Sequence, residues 1–387
     1  MKPARVLTSS AIFHALNDGA TVAVPMIFPV LLNQGYILQN YSQIGIISHL
    51  GLLTTFLFQI IIVQTAHRVR YQNLLLASFL GISSTLFLFS RAKNLFVFAC
   101  LYLLFRLCDS FYHTLGLAWV SRAHEPGRMN LAMGIQSGSG NFGVFLAFLT
   151  AGSLAQKISW KAPLSFWAIL CFLAGMLSYL LVRSLDLPHE RNSAPSMASW
   201  KNTFSLVLPY LPGFIFAGGG WGLVVYYAPS LLNHRFGVAM MQTGIILAAW
   251  IGLGTLITYA FGPVSRFISR EKLAVIGLAG SFLSLFVVGM APALLMAQVG
   301  LYLFGLFLFL IFPALQASVG VSVPPENQSQ AFSVASNIQI VSGAVFSLVS
   351  GFLSDLFGIQ APFIMMAIWG WATLCLTSFF PRKKFKK

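Results

Sequence analysis

Twelve apolar stretches of about membrane-spanning length follow one another along the chain, and they decide what it can fold into. They cover roughly 8–33, 42–66, 71–90, 94–120, 130–154, 162–183, 203–230, 241–262, 272–290, 293–319, 328–352 and 360–380. A helix needs about 20 mostly apolar residues to cross a bilayer. Runs such as Leu303 to Leu310, with one glycine among leucines and phenylalanines, meet that need without a charge. Composition agrees, since 57% of the 387 residues are hydrophobic and 8% are charged. Soluble domains carry about 25% charged residues. A soluble enzyme, a collagen, a disordered chain and a disulfide-rich secreted module are therefore all disfavoured. Lys2 and Arg5 before the first apolar run imitate a signal peptide. That run is long and holds His14, Asn17 and Asp18, so it is expected to remain as the first helix.

The formal charge of +15 would point to nucleic acid in a soluble protein. Placed on the spans it reads otherwise. The termini and the connections after spans 2, 4, 6, 8 and 10 hold seventeen of the 23 basic residues, including Arg68, Arg70, Arg122, Arg128, Arg266, Arg270 and the tail Arg382 to Lys387. The opposite loops hold Arg91, Lys93, Lys157, Lys161 and Arg235. The positive-inside rule then places both termini in the cytoplasm. The expected location is a bacterial inner membrane, with lipid and no nucleic acid as partner.

The longest polar connection, 184–201, divides the chain into six spans plus six. The expected domains are a six-helix bundle over 1–183, a cytoplasmic linker over 184–201, and a second bundle with a basic tail over 202–387. Short basic hinges recur at matching places, His67-Arg68-Val69-Arg70 after span 2 and Arg266 to Lys272 after span 8. This plan resembles the major facilitator superfamily, an all-α fold of twelve transmembrane helices in two pseudo-symmetric halves. The resemblance covers essentially the whole chain. It implies a secondary transporter working by alternating access, not an enzyme. The superfamily's G-x-x-x-D-R-x-G-R signature is altered in both copies. His67 stands at the acidic position of the first, which keeps Arg68. The second keeps Gly262 and Arg270 but has Arg266 where the acid belongs. Arg68, Arg70, Gly262, Arg266 and Arg270 are the expected gating residues.

Three shorter pieces resemble the fosmidomycin-resistance branch, whose members are taken to be drug:proton antiporters. They are His14-Ala15-Leu16-Asn17-Asp18 in span 1, Phe111-Tyr112-His113-Thr114 in span 4, and Leu131-Ala132 with Ser139-Gly140-Asn141-Phe142-Gly143 in span 5. Thr114 replaces that branch's proline, and the span-5 proline associated with antiporters is missing. Drug or metabolite export thus stands beside proton-coupled uptake, lipid flipping and a non-transporting receptor on the same fold.

Ionisable groups cost at least about 2.5–3.5 kcal/mol each at the bilayer centre and usually face the bundle interior. His14, Asn17 and Asp18 are spaced i, i+3, i+4 and share one helix face. Arg106, Asp109 and His113, spaced i, i+3, i+7, share another. The resemblance places both faces on the central cavity. Asp109 lies one turn from Arg106 and is the expected permanent ion pair. Asp18 is the expected proton-carrying acid, with His113 or His14 as its partner. Arg106 suits an anionic substrate, because it does not usefully deprotonate. The second half has no ionisable residue deep in a span, so apolar and aromatic substrate contact is expected there. Candidate substrate residues are Arg106, Asn17, Tyr112, Asn141, Trp221, Tyr226, Tyr227 and Gln316. The cysteines Cys100, Cys108, Cys171 and Cys375 lack metal-ligand spacing and read as packing residues. No cofactor and no metal is expected, and a monomer exchanging protons with a small molecule is the expected form.

Overall fold

The computed structural model describes residues 2–65, 69–185, 197–323 and 328–379. Among them are fourteen α-helices and no strand. In order these are α1 (Lys2–Met26), α2 (Phe28–Gln34), α3 (Tyr41–Thr65), α4 (Tyr71–Phe89), α5 (Leu95–Ala123), α6 (Pro126–Lys157) and α7 (Lys161–Val182). The second half follows with α8 (Met197–Val207), α9 (Leu211–Ser230), α10 (Met240–Val264), α11 (Arg270–Met290), α12 (Leu294–Ser322), α13 (Gln328–Phe357) and α14 (Ala361–Phe379). Eleven segments are long and apolar enough to cross a membrane, and Ala361–Leu376 is a shorter apolar helix in the place of a twelfth. The chain is an integral membrane protein.

The boundaries have local causes. The first span breaks at Ile27, just ahead of Pro29, so it is built from α1 and α2. The seventh is likewise composite. A 3-10 turn over Leu208–Tyr210 contains Pro209, and a π-turn over Leu231–Arg235 follows Pro229. Asn94 caps α5 by accepting from the Val97 amide at 2.9 Å, and Ser269 caps α11 by accepting from Lys272 at 3.4 Å. Such caps satisfy amides that the first helical turn leaves unpaired. Gly237, at φ 66°, turns the chain into α10 in a conformation that side chains with a Cβ rarely adopt.

Large apolar side chains point outward along most helices. Phe96, Leu131, Leu295 and Val321 are each about two-thirds exposed or more. A soluble fold would bury them, whereas lipid solvates them. Several polar groups that face inward are bonded there. In the first half Ser9 Oγ donates to the Ser178 carbonyl at 3.1 Å and Ser178 Oγ to the Ser9 carbonyl at 2.9 Å. Ser78 donates to the Cys108 carbonyl at 2.7 Å, and Gln72 Nε2 to the Leu185 carbonyl at 2.8 Å. All four cysteines are free thiols, and Cys171 is fully buried.

Packing divides the described chain into two compact units. One comprises 1–194 with 224–252, and the other 195–223 with 253–387. Their bounds differ from a simple halving of the sequence, because the end of α9 and the start of α10 pack with the first-half helices. In the first unit α1 lies against α5, α6 and α7, while α5 lies against α3 and α4. The α1–α6 contact is backbone to backbone, with Gly143 set against the Ala15 carbonyl. Small residues allow that approach, and dispersion then holds the helices without a hydrophobic driving force. The second unit packs α11 on α12 and α14, and α13 on α8, α12 and α14.

Candidate functional site

Three helix faces of the first unit meet in one polar cluster. The α1 face carries Ser10, His14, Asn17 and Asp18. The α5 face carries Tyr102, Arg106, Asp109 and His113, and the α6 face carries Gln136 and Gly140. The close α1–α6 crossing sets the first and third faces against each other. Gly51 on α3 leaves room for Tyr102 and Arg106, since a Cβ there would lie 2.9 Å from Arg106 Cγ.

Asp18 is held between two imidazoles. His14 Nε2 lies 3.1 Å from Oδ2, and His113 Nε2 lies 3.2 Å from Oδ1. His14 Nδ1 sits 2.6 Å from the Gln136 carbonyl. A carbonyl only accepts, so Nδ1 carries a hydrogen and Nε2 is the nitrogen turned to the carboxylate. Two acceptors at 3.1 Å would repel, so a proton or another cation must lie between them. The His14 ring stacks on Tyr112 at 4.8 Å and meets the His113 ring edge-on at 5.4 Å. Tyr112 donates to the Ser10 carbonyl at 2.8 Å and accepts from Gln136 Nε2 at 3.0 Å. His14 is therefore fixed in place and tautomer, and it is 8% exposed. The His113 side chain is 40% exposed and that of Asp18 is 21%.

The second acid is enclosed. Arg106 Nη1 meets Asp109 Oδ2 at 2.9 Å, and Asn17 Nδ2 donates to Asp109 Oδ1 at 2.7 Å. Asn17 Nδ2 also reaches Asp18 Oδ1 at 3.4 Å, so one amide touches both carboxylates. Arg106 Nε and Asn17 Oδ1 are buried without a hydrogen-bond partner among the described residues. Thr55 Oγ1 donates to the Arg106 carbonyl at 3.2 Å, tying α3 to this turn of α5.

The structure thus gathers His14, Asn17, Asp18, Arg106, Asp109, Tyr112 and His113 in one cluster. Of the other expected substrate residues, Tyr226 joins the cluster through Tyr102. Tyr226 is buried and accepts a hydrogen bond from Tyr102 at 3.3 Å, and Tyr227 is fully buried. Both pack in the first unit, although sequence order puts them in the second half. Trp221 packs on Phe309 with ring centroids 5.9 Å apart, in the second unit. Gln316 on α12 is exposed, and Asn141, beside Gly140, is half-buried.

Of the expected gating residues, Arg68 lies outside the described residues. Arg70 is the exposed residue preceding α4. Gly262 and Arg266 are exposed at the end of α10. Arg270 Nε pairs with Glu271 at 3.1 Å, so the acid of this connection stands next to Arg270, and the sequence position expected to hold an acid carries Arg266. Gln136, Tyr102, Ser10, Gly51 and Gly140 are site residues that sequence reasoning missed. Gln136 had a signal, being one helical turn before Gly140 in the motif-bearing span.

Comparison with known proteins accords with this architecture. The Major Facilitator Superfamily sequence model matches residues 8–345 and 256–387, and the chain belongs to that family. Over 364 residues it is 24% identical to the multidrug resistance protein MdtG of Enterobacter lignolyticus (strain SCF1), covering 90% of this chain and 86% of that protein. Over 174 residues it is 27% identical to the nitrite extrusion protein of Bacillus subtilis (strain 168), which spans 43% of this chain and 41% of that one. Among solved structures, a bacterial homolog of the human lysosomal transporter Spinster, inward-facing and occupied, superposes with a TM-score of 0.84 at 13% identity, covering 97% and 96% of the two chains. The nucleoside transporter NupG superposes with a TM-score of 0.79 at 11% identity, covering 98% and 100%. These likenesses show the fold that the family match implies.

Proposed function

We propose that this protein is a proton-coupled secondary transporter that works by alternating access and exports a small amphipathic or anionic compound. The observation that carries the reading is Asp18 between His14 and His113. The fixed His14 tautomer means that the Asp18–His14 pair holds a cation between facing acceptors, and a proton fills that role. Asp18 and His113 keep enough exposure to exchange it. Asp109 is neutralised by Arg106 and serves as the fixed counter-charge. The buried Arg106 Nε, without a partner among the described residues, supports an anionic group on the substrate, because a guanidinium deprived of water seeks an acceptor. Export is supported by the likeness to a multidrug resistance protein and to a nitrite extrusion protein.

Proton uptake with the substrate is the second reading. It is favoured by α6 running unbroken through Gly143 to Ala147 without the proline of antiporters. In both readings the protein is a monomer in a bacterial inner membrane, and the basic loops support termini in the cytoplasm.

The test is substrate-driven proton flux in proteoliposomes, for the native protein and Asp18→Asn. The expected result is loss of coupling in the variant. Unchanged coupling would remove Asp18 from the mechanism. A labelled panel of organic anions, phosphonates and hydrophobic drugs, offered to expressing cells, separates export from uptake by the sign of accumulation.

A further inference from the structure

We propose that His14, Asp18 and His113 form a binding site for a divalent transition-metal ion of the zinc, cobalt and nickel class. The inference rests on the geometry of three side chains and not on proton coupling. Two imidazole nitrogens and a carboxylate oxygen, drawn from α1 and α5, lie within 4.8 Å of one another. Zinc binds such ligands at about 2.0–2.1 Å in a tetrahedron, which sets them about 3.3–3.4 Å apart. His14 Nε2 lies 3.1 Å from Asp18 Oδ2 and His113 Nε2 lies 3.2 Å from Oδ1, so each nitrogen is near that spacing from its own oxygen of the carboxylate. The remaining closure falls on His113, whose side chain is 40% exposed and has room to turn.

The surroundings are those of a metal ligand set. A metal-bound histidine almost always donates its other ring N–H to a carbonyl or carboxylate. His14 does this to the Gln136 carbonyl at 2.6 Å, which aims the Nε2 lone pair at Asp18. Asn17 Nδ2 braces Asp18 Oδ1 from the other side. Gly140 faces the same atoms, and a Cβ there would lie 2.6 Å from both Asp18 Oδ2 and His14 Nε2. The bare glycine therefore keeps clear the space beside two of the ligands.

Charge agrees with a cation. Arg106 already neutralises Asp109, which leaves the Asp18 charge uncompensated except by the histidines. Two imidazoles and one carboxylate select zinc, cobalt, nickel or ferrous iron over calcium and magnesium, which take oxygen ligands. The exposed side of Asp18 and His113 leaves further coordination positions for water or for an acceptor atom of a substrate. The spacing of ligands along the sequence does not reveal the site, because the fold supplies the third ligand from a helix about ninety residues away.

The test is titration of the full-length, tag-free protein in detergent with Co2+ at neutral pH. The expected result is one saturable equivalent with visible ligand-field bands that vanish on adding Zn2+. His14→Ala and His113→Ala should each weaken binding by at least about tenfold, the least that loss of a supporting group costs such sites. Asp355→Asn, an acid far along the chain, should leave it unchanged. Absence of a saturable band in the native protein overturns the proposal, as does full affinity in both histidine variants. Proton flux measured with a chelator present separates the two readings: a protein that shows no saturable Co2+ band but still couples protons refutes the metal site and leaves the proton reading standing.

Discussion

The Arg106–Asp109 pair offers the sharpest energetic test of the site. Arg106 is 5% exposed and Asp109 is 2% exposed. Removing one partner of a buried pair costs about 3–5 kcal/mol, because the other charge is left without compensation. In Arg106→Met, Asp109 keeps its hydrogen bond from Asn17 at 2.7 Å. A hydrogen bond to a charged group is worth about 1.5–3 kcal/mol, so the expected loss sits at the lower end, about 3 kcal/mol. Adding Asp109→Leu removes the stranded charge. Replacing a whole buried pair with apolar groups is often neutral or stabilising. The Asn17 amide then loses its shorter bond and keeps Asp18 Oδ1 at 3.4 Å, at a cost of about 1 kcal/mol. The double variant should therefore be about 2 kcal/mol more stable than Arg106→Met, a coupling that independent sites would not show. Unfolding in mixed SDS micelles, followed by circular dichroism, measures all members of the cycle. The reasoning fails if Arg106→Met stays within about 1 kcal/mol of the native protein, or if the double variant is no more stable than the single.

Other perturbations read other parts of the structure. Gly140→Ala places a methyl group 2.6 Å from Asp18 Oδ2 and His14 Nε2, so proteoliposome flux should fall by about tenfold or more, the effect expected when a supporting side chain is displaced by about 1 Å. At Gly134→Ala, six residues earlier on the same helix, a Cβ meets nothing within 4 Å, and stability should rise by about 0.5–1 kcal/mol with flux intact. Ser9→Ala breaks the reciprocal bonds with Ser178 and should cost about 0.5–1.5 kcal/mol by the same unfolding assay. Gly237→Val forces a branched side chain to φ 66° and should cost about 1–2 kcal/mol, with Gly237→Asn recovering part of it.

The spans were legible in the sequence because lipid demands long apolar helices with internal hydrogen bonds. The breaks at Ile27 and at Leu208–Tyr210 follow from prolines visible in the sequence, and the observed segments keep close to the expected limits. Half of the site was equally visible. His14, Asn17 and Asp18 on one face, and Arg106, Asp109 and His113 on another, follow from helical periodicity alone. What periodicity does not carry is the contact between helices. Gln136 presents a backbone carbonyl to His14, and any residue type offers one. Gly51 and Gly140 matter for the atoms they lack, and a glycine in a membrane helix has many uses. Tyr226 was placed with the second half by its position along the chain, whereas its hydroxyl accepts from Tyr102. The superfamily's charged hinge is a similar case, since Glu271 takes up Arg270 from a position the signature does not assign to an acid.

The backbone contact of Gly143 with Ala15 has a spectroscopic consequence. It locks α1 to α6 just below His14, and Tyr112 and the Gln136 carbonyl grip the imidazole itself. His113 meets the Tyr112 ring edge-on at 5.7 Å and is 40% exposed, so it is held less firmly. When the site gains or loses its cation, the adjustment must be taken up by His113, while His14 stays where the two helices hold it. Nitrogen resonances of the two imidazoles should then behave unequally on loading, with the His113 ring changing orientation and exchange rate and the His14 ring keeping one tautomer throughout.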